Sequence, residues 1–441
     1  MNAVLVTFAI LAFVFFWRLF TNFNCVQRLF HCFGPLAVLF QWYTFLFISL
    51  GYLLVRTFYD IVLFEYIKYD FLSHSNLIEE KDFIPDLSEE EREALRISPW
   101  LRIFSLAAPI AGMLAAIVVV EHVSAVVMAS MRRAKMAGAR LYWKMSTQVN
   151  MILLVIAMPL VFILMAMRAE IRIWAVMTGS AWIPYHEVSP PTTTWKVVRT
   201  LEMSTYTSDL ELGNFFQYIT IFAFGRLCVF YLKDAPAEYR KALKLAGLQG
   251  VYLYVIFGAV RSIGNLAVAV LGASEEYSYL SATLRDKTLA QIGPVFSVAT
   301  LLCVYNMFVL GKMSDIRAHL GSANLKFQAT RFLVLISQIQ LQVLMGLCVG
   351  SKLYQAAQKL PPKYSGIVES WHLSTYRAQL MHAALLNFEC LFVVLFNRCV
   401  WRSSADYGDE VKAQTSAREP RPEFANAAEP PLCERLLPTS V

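Results

Sequence analysis

Nine blocks of apolar residues, each about 20 residues long, recur along the chain, and no other feature restricts its fold so sharply. They lie at 3–20, 36–55, 104–131, 148–167, 214–232, 250–272, 292–311, 328–350 and 377–400. A helix rises about 1.5 Å per residue, so ~20 residues cross the ~30 Å hydrocarbon core of a bilayer with every backbone N–H and C=O bonded internally. Composition agrees: 57% of residues are hydrophobic and only 16% are charged, whereas about a quarter is charged in soluble domains. The predicted fold class is an all-α integral membrane protein that crosses the bilayer nine times. Residues 3–20 have no basic segment in front and no small-residue cleavage site, so they read as a first span rather than a cleaved signal peptide.

The segments between the blocks divide the chain. Residues 68–103 are acidic and polar, and within them Ser88 followed three residues later by Glu91 forms the pattern of a capping box, which marks a helix start. This acidic loop separates an N-terminal extension with two spans (1–67) from a seven-span domain (104–400). The loops 132–144, 233–247 and 312–327 carry 12 Lys and Arg in 44 residues, against 9 in 90 for the alternate loops 168–213, 273–290 and 351–376. By the positive-inside rule the denser set is cytosolic, which leaves the C-terminus cytosolic and the N-terminus outside or in a lumen, at the plasma membrane or an endomembrane. The tail 401–441 has no apolar period and reads as disordered. It ends Thr439-Ser440-Val441, the form of a peptide that joins a PDZ domain by strand addition.

Several function classes are excluded or unsupported. The net charge of +7 reports cytosolic loops and anionic lipid, not a nucleic-acid partner. Eight cysteines form no Cys-x-x-Cys pair and no sequon occurs, so neither a zinc site, a disulfide framework nor N-glycosylation is indicated. There is no phosphate-binding Gly-x-x-x-x-Gly-Lys-Ser/Thr loop, no lysine inside a span for a retinal-type Schiff base, and no His/Asp cluster for a metal-dependent hydrolase. No enzymatic activity and no cofactor are expected.

Polar groups at membrane depth are the candidate site. Lipid offers no water to satisfy them, so they must face protein, one another or a wet cavity. The stretch from Leu325 to Leu347 opens with Lys326-Phe327, carries Arg331, and interrupts its apolar run with Ser337, Gln338, Gln340 and Gln342. Counting residues from the charged span ends puts Glu121, Arg261 and Glu389 at about 14–16 Å depth. Two carboxylates and one guanidinium are thus expected in one layer, with Arg261 bridging a carboxylate and Asn265 one turn further along the same face. The same groups also fit ion pairs that fix helix packing and do nothing else.

These residues carry a resemblance. LKFQATRFLVLISQIQ, with Lys326, Phe327, Arg331, Ser337 and Gln340, resembles the signature span of the organic solute transporter alpha family. The preceding His319-Leu320-Gly321 resembles the loop of its animal members, and Glu389 with Arg398 resembles the family's last span. Pro159 and Glu121 match more loosely. The likeness covers roughly residues 105–402; Leu253, Tyr254 and Gly258 stand where the family has Gln, Tyr and a cation, a cysteine run of the animal members is absent, and residues 1–100 have no counterpart. The resemblance implies a seven-helix core and facilitated transport of an amphipathic organic solute, a steroid-like or bile-acid-like anion, with a single-span beta-type subunit as a partner. Substrate-binding residues would be Glu121, Arg261, Asn265, Gln338, Gln340 and Glu389, with Arg261 meeting the anion. The alternative is a non-transporting membrane scaffold or trafficking protein acting through loops and tail.

Overall fold

The computed structural model describes residues 84–348 and 373–401 apart from short breaks, together with parts of 48–57 and the single positions Gln355 and Lys359. The expected first span at 3–20, most of the acidic loop before Ile84, and the tail with its Thr439-Ser440-Val441 terminus lie outside the described residues, as does the side chain of Gln338.

Among the described residues all regular structure is helical. We number the helices α1 (Glu89–Leu95), α2 (Pro99–Met136), α3 (Thr147–Thr178), α4 (Trp195–Phe230), α5 (Ala237–Gly272), α6 (Ser278–Thr283), α7 (Ala290–Lys312), α8 (Ala323–Gly346) and α9 (Thr375–Val400). A π-helical turn, Leu284–Leu289, joins α6 to α7 without interruption. Among the described residues six segments are long and apolar enough to cross a membrane: α2, α3, α4, the part of α5 from Leu248, the continuous segment Tyr279–Lys312, and α9. The stretch expected to span at 328–350 is α8, a 24-residue helix that is not one of these six.

Local chemistry sets the helix ends. The capping box expected at the start of α1 is present: Glu91 N donates to Ser88 Oγ at 3.2 Å and Ser88 N to Glu91 Oε2 at 3.3 Å. Ser374 caps α9 by accepting from Arg377 N at 3.2 Å. α3 stops at Gly179, whose φ of 83° lies in the left-handed region that ends helices and that other residues rarely enter. Pro159 lies inside α3, which runs on past it for five further turns.

α3 is the central helix, packed against α2, α4 and α9. In its apolar window 94% of residues are buried, against 22% for Tyr279–Lys312. The helices around it keep exposed apolar faces. On α2 these are Ile103, Ile110, Ile117 and their neighbours Met113, Leu114 and Val120; on α7 they are Val298, Leu301, Leu302, Tyr305 and Phe308. The spacings of three, four and seven make each set one helical face, as lipid-facing residues of a spanning helix would be. Between spanning helices the hydrophobic effect gives little preference, so close approach through small residues carries the packing. Gly250 shows it: a Cβ there would lie 2.7 Å from the backbone of Leu302, so α5 and α7 cross backbone to backbone.

Two sequence expectations change. The span placed at 214–232 begins at Trp195, and the one placed at 148–167 continues to Thr178. Residues 168–213, read as a loop, are therefore mostly two helices. The reason is that their charged residues are paired across the α3–α4 interface, so polarity that lowers mean hydropathy does not end the helices.

Candidate functional site

One end of the bundle gathers α1, the start of α4 and the start of α9: Glu91 bonds Arg199 and Ser374 bonds Ala94 O. At the other end Trp401 O meets His122 Nε2 at 2.8 Å and the Lys326 ammonium lies 4.7 Å above the Trp401 ring. We refer to these as the α1 end and the Trp401 end.

Toward the α1 end the α3–α4 interface is ionic. Arg168 Nε donates to Asp209 Oδ1 at 2.9 Å and Arg172 Nη1 to Glu202 Oε2 at 3.0 Å, all four side chains being almost fully enclosed. Arg168 and Arg172 are four apart on α3, and Glu202 and Asp209 seven apart on α4, so each pair occupies one face and the antiparallel helices match them in order. Desolvation costs several kcal/mol per ion, and good geometry with further hydrogen bonds is needed to offset it. Glu170, between the two arginines in sequence, points to the other side of α3, where its Oε2 accepts from Asn387 Nδ2 of α9 at 3.0 Å. α2 closes over this contact through Gly112, where a Cβ would lie 2.8 Å from Asn387 Oδ1.

Beside this layer is a cleft of ≈ 610 Å³. One wall is a face of α4, with Arg199, Met203, Thr207 and Glu211 at spacings of four. The facing wall is α5, through Asn265, Val268, Ala269 and Gly272. Arg285, on the π-helical turn, and Tyr376, on α9, complete the rim. The two walls are tied by a hydrogen bond from Ser204 Oγ to Ala269 O. Glu211 is held from α5 by Asn265 Nδ2 on Oε1 and by Ser262 Oγ on Oε2, both at 2.8 Å. The lining thus combines apolar patches, a hydrogen-bonded carboxyl and two guanidinium groups.

A second polar chain joins α8 to α9. Gln340 Nε2 donates to Glu389 Oε1 at 2.9 Å, and Gln340 Oε1 lies 2.9 Å from His382 Nδ1. Because that amide oxygen can only accept, the bond requires the proton on Nδ1.

The residues selected from sequence are distributed over four places. Gln340 and Glu389 are brought together. Asn265 lines the cleft. Glu121 instead pairs with Arg398 at 2.8 Å, with side chains 55% and 37% exposed respectively. Arg398 lies nine residues from Glu389 on α9, about 14 Å along the axis, so Glu121 sits near the Trp401 end and not level with Glu389. Arg261 bridges neither carboxylate: its guanidinium lies 4.9 Å from the Phe296 ring centroid. The single layer of three charges is replaced by three separate partnerships, because which groups meet depends on how the helices are rotated and packed against one another.

Sequence reasoning passed over Arg168, Glu170, Arg172, Arg199, Glu202, Asp209, Glu211 and Arg285. A signal was present in the helical spacing of the first group, four residues between Arg168 and Arg172 and seven between Glu202 and Asp209. Gly258 is held closely by its neighbours. A Cβ at this position would lie 2.5 Å from the Tyr218 ring, which packs edge-on against Tyr254 at 5.2 Å, so the site has no room for a cationic side chain. Among the described residues no three His, Cys, Asp or Glu side chains converge as a metal site would need.

No family model, no curated protein and no solved structure matches this chain.

Proposed function

We propose that the protein is a multi-pass membrane transporter that moves an amphipathic organic anion by facilitated diffusion. The observation that carries this reading is the cleft between α4 and α5. Its volume of ≈ 610 Å³ falls in the range of about 300–1,000 Å³ typical of small-molecule sites. Val268, Ala269 and Met203 suit an apolar body, Arg199 and Arg285 suit its anionic group, and Asn265 and Glu211 offer hydrogen bonds for orientation. The cations that meet the anion are Arg199 and Arg285 and not Arg261, whose guanidinium lies over the Phe296 ring and does not line the cleft.

The likeness of Leu325–Gln340 and Glu389–Arg398 to the organic solute transporter alpha family supports the same function and suggests a steroid-like or bile-acid-like solute and a single-span partner. Loop charge supports a cytosolic C-terminus, at the plasma membrane or an endomembrane.

The test is uptake of a labelled steroid sulfate into proteoliposomes, with and without a single-span partner, for the wild type and for Arg285→Ala. Saturable uptake that falls at least several-fold in the variant is the expected result. Absence of flux for every amphipathic anion offered, in both settings, would overturn the transport reading in favour of a scaffold.

A further inference from the structure

The sequence marks 68–103 as an acidic loop, but the structure uses its last part as a docked element. α1 carries Glu89, Glu90, Glu91 and Glu93. Leu87 and Leu95 on and before it, with Ile84, are buried in a hydrophobic cluster that includes Trp174, Trp182 and Trp195. Arg377, at the start of α9, clamps it from the other side: Nε donates to Arg96 O at 2.7 Å, and Nη2 donates to Glu93 O at 2.8 Å and Glu93 Oε1 at 3.0 Å. Ser374 Oγ adds a bond of 2.6 Å to Ala94 O. From this anchored helix Glu91 extends to Arg199, Oε1 to Nη1 at 3.0 Å. Arg199 also lines the cleft, next to Tyr376.

One guanidinium therefore serves two surfaces. Its contact with Glu91 is single, through Nη1, and among the described residues it donates to no other side chain or carbonyl. An arginine has five N–H donors in a planar fork, so an anion in the cleft can approach the same group, but only against the carboxylate already beside it. The Glu91 side chain is 41% exposed and that of Arg199 20% exposed, a part-solvated pair of the kind that exchanges partners at little cost.

We infer that Glu91 is the built-in competitor of the cleft: it partly neutralises Arg199, and an anionic solute binds by taking over that guanidinium. This rests on the transport reading and deepens it, since Glu91 then sets both affinity and charge selectivity without touching the solute. Glu91 is a positioning residue for Arg199. Removing its charge tightens binding of an anion and leaves a neutral molecule of the same shape unaffected. A purely structural role for the ion pair predicts the opposite, since loosening α1 would weaken both.

The experiment uses the full chain in lipid nanodiscs and measures equilibrium binding of a tritiated steroid monosulfate and of its uncharged parent steroid. Variants are Glu91→Gln, Arg199→Gln, the double variant, and Glu90→Gln as a control that removes the same charge from the same helix. The expected result is sulfate binding tightened by about two- to fivefold in Glu91→Gln, weakened in Arg199→Gln, and no tighter in the double variant than in Arg199→Gln. Glu90→Gln and the uncharged steroid show no such change. Equal tightening by Glu90→Gln would reduce the effect to general surface charge and overturn the inference. Unchanged or weaker sulfate binding by Glu91→Gln, with wild-type binding intact, overturns the competition alone. No binding to any variant removes the anion site and the competition together. Should Glu91→Gln lower the melting temperature, Glu91→Asp, which keeps the charge on a shorter arm, gives the same test through a smaller tightening.

Discussion

Single residues in this bundle are constrained by what lies against them more than by their own hydropathy. Gly258 faces the Tyr218 ring at a distance no Cβ can tolerate, and that ring belongs to an aromatic group with Tyr254 and Phe296, the last of which also carries the Arg261 guanidinium. Gly258→Ala is expected to cost about 1–3 kcal/mol, the range for overpacking a well-packed site. A lowered melting temperature in nanodiscs, partly restored by Tyr218→Leu, is the result to look for. The buried pair Arg168–Asp209 has a different energetic shape. Asp209→Asn removes the carboxylate charge that faces the enclosed Arg168 guanidinium, and breaking a buried pair from one side typically costs about 3–5 kcal/mol, whereas replacing both partners by apolar residues of similar volume is often neutral. Asp209→Asn should therefore deplete folded protein severely, and Arg168→Met with Asp209→Leu should recover much of it, as read by size-exclusion yield. Equal loss in both would mean that the pair itself stabilises the fold.

At the scale of elements, α1 shows how a seven-residue helix, too short to be stable alone, persists. Its capping box satisfies the first turn, Leu95 and its neighbours bury an apolar face, and Arg377 and Arg199 hold its acidic side. The Arg199 guanidinium, bonded to Glu91, holds that carboxyl below its ordinary value of 4.5. A carboxylate whose folded value is depressed adds stability that is fully present above its unfolded value and is lost as pH falls through the folded one. The docking of α1 through Glu91 should thus be insensitive to pH at neutrality and weaken only below about 4.5. Hydrogen exchange of the amides of residues 89–95 across that range tests this, and Glu91→Gln should abolish the step at this contact. Acid also frees Arg199, so the same window should tighten binding of a sulfate, which stays ionised there. The pairing of α3 with α4 was partly legible: an arginine pair four apart and an acid pair seven apart is a helical pattern. Which acid meets which arginine was not, because that depends on the rotation of both helices.

For the whole molecule the division between enclosed and exposed helices carries the argument. α3 is surrounded by protein, while α2 and α7 keep continuous apolar faces. Cysteines introduced at Ile117 and Leu301 should be quenched by a nitroxide carried on lipid acyl chains when labelled with a fluorophore, and one at Ile163, fully buried in the α3 core, should resist labelling. Labelling at Ile163 as fast as at Leu301 would contradict the packing of α3.

The all-helical class, the capping box at Ser88 and the approximate position of most apolar helices followed from residue order, because helix length against bilayer thickness and side-chain capping are local matters. The helix pair that fills 168–213 did not follow, because a charge that ends a span and a charge neutralised by a facing helix look alike along the chain. Nor did the partners of Glu121, Arg261 and Glu389. Depth can be counted at about 1.5 Å per residue, but azimuth, tilt and the true length of each helix are set only when the helices pack, and those decide that Glu121 meets Arg398, that Gln340 meets Glu389, and that Arg199 stands between an acidic helix and a cleft.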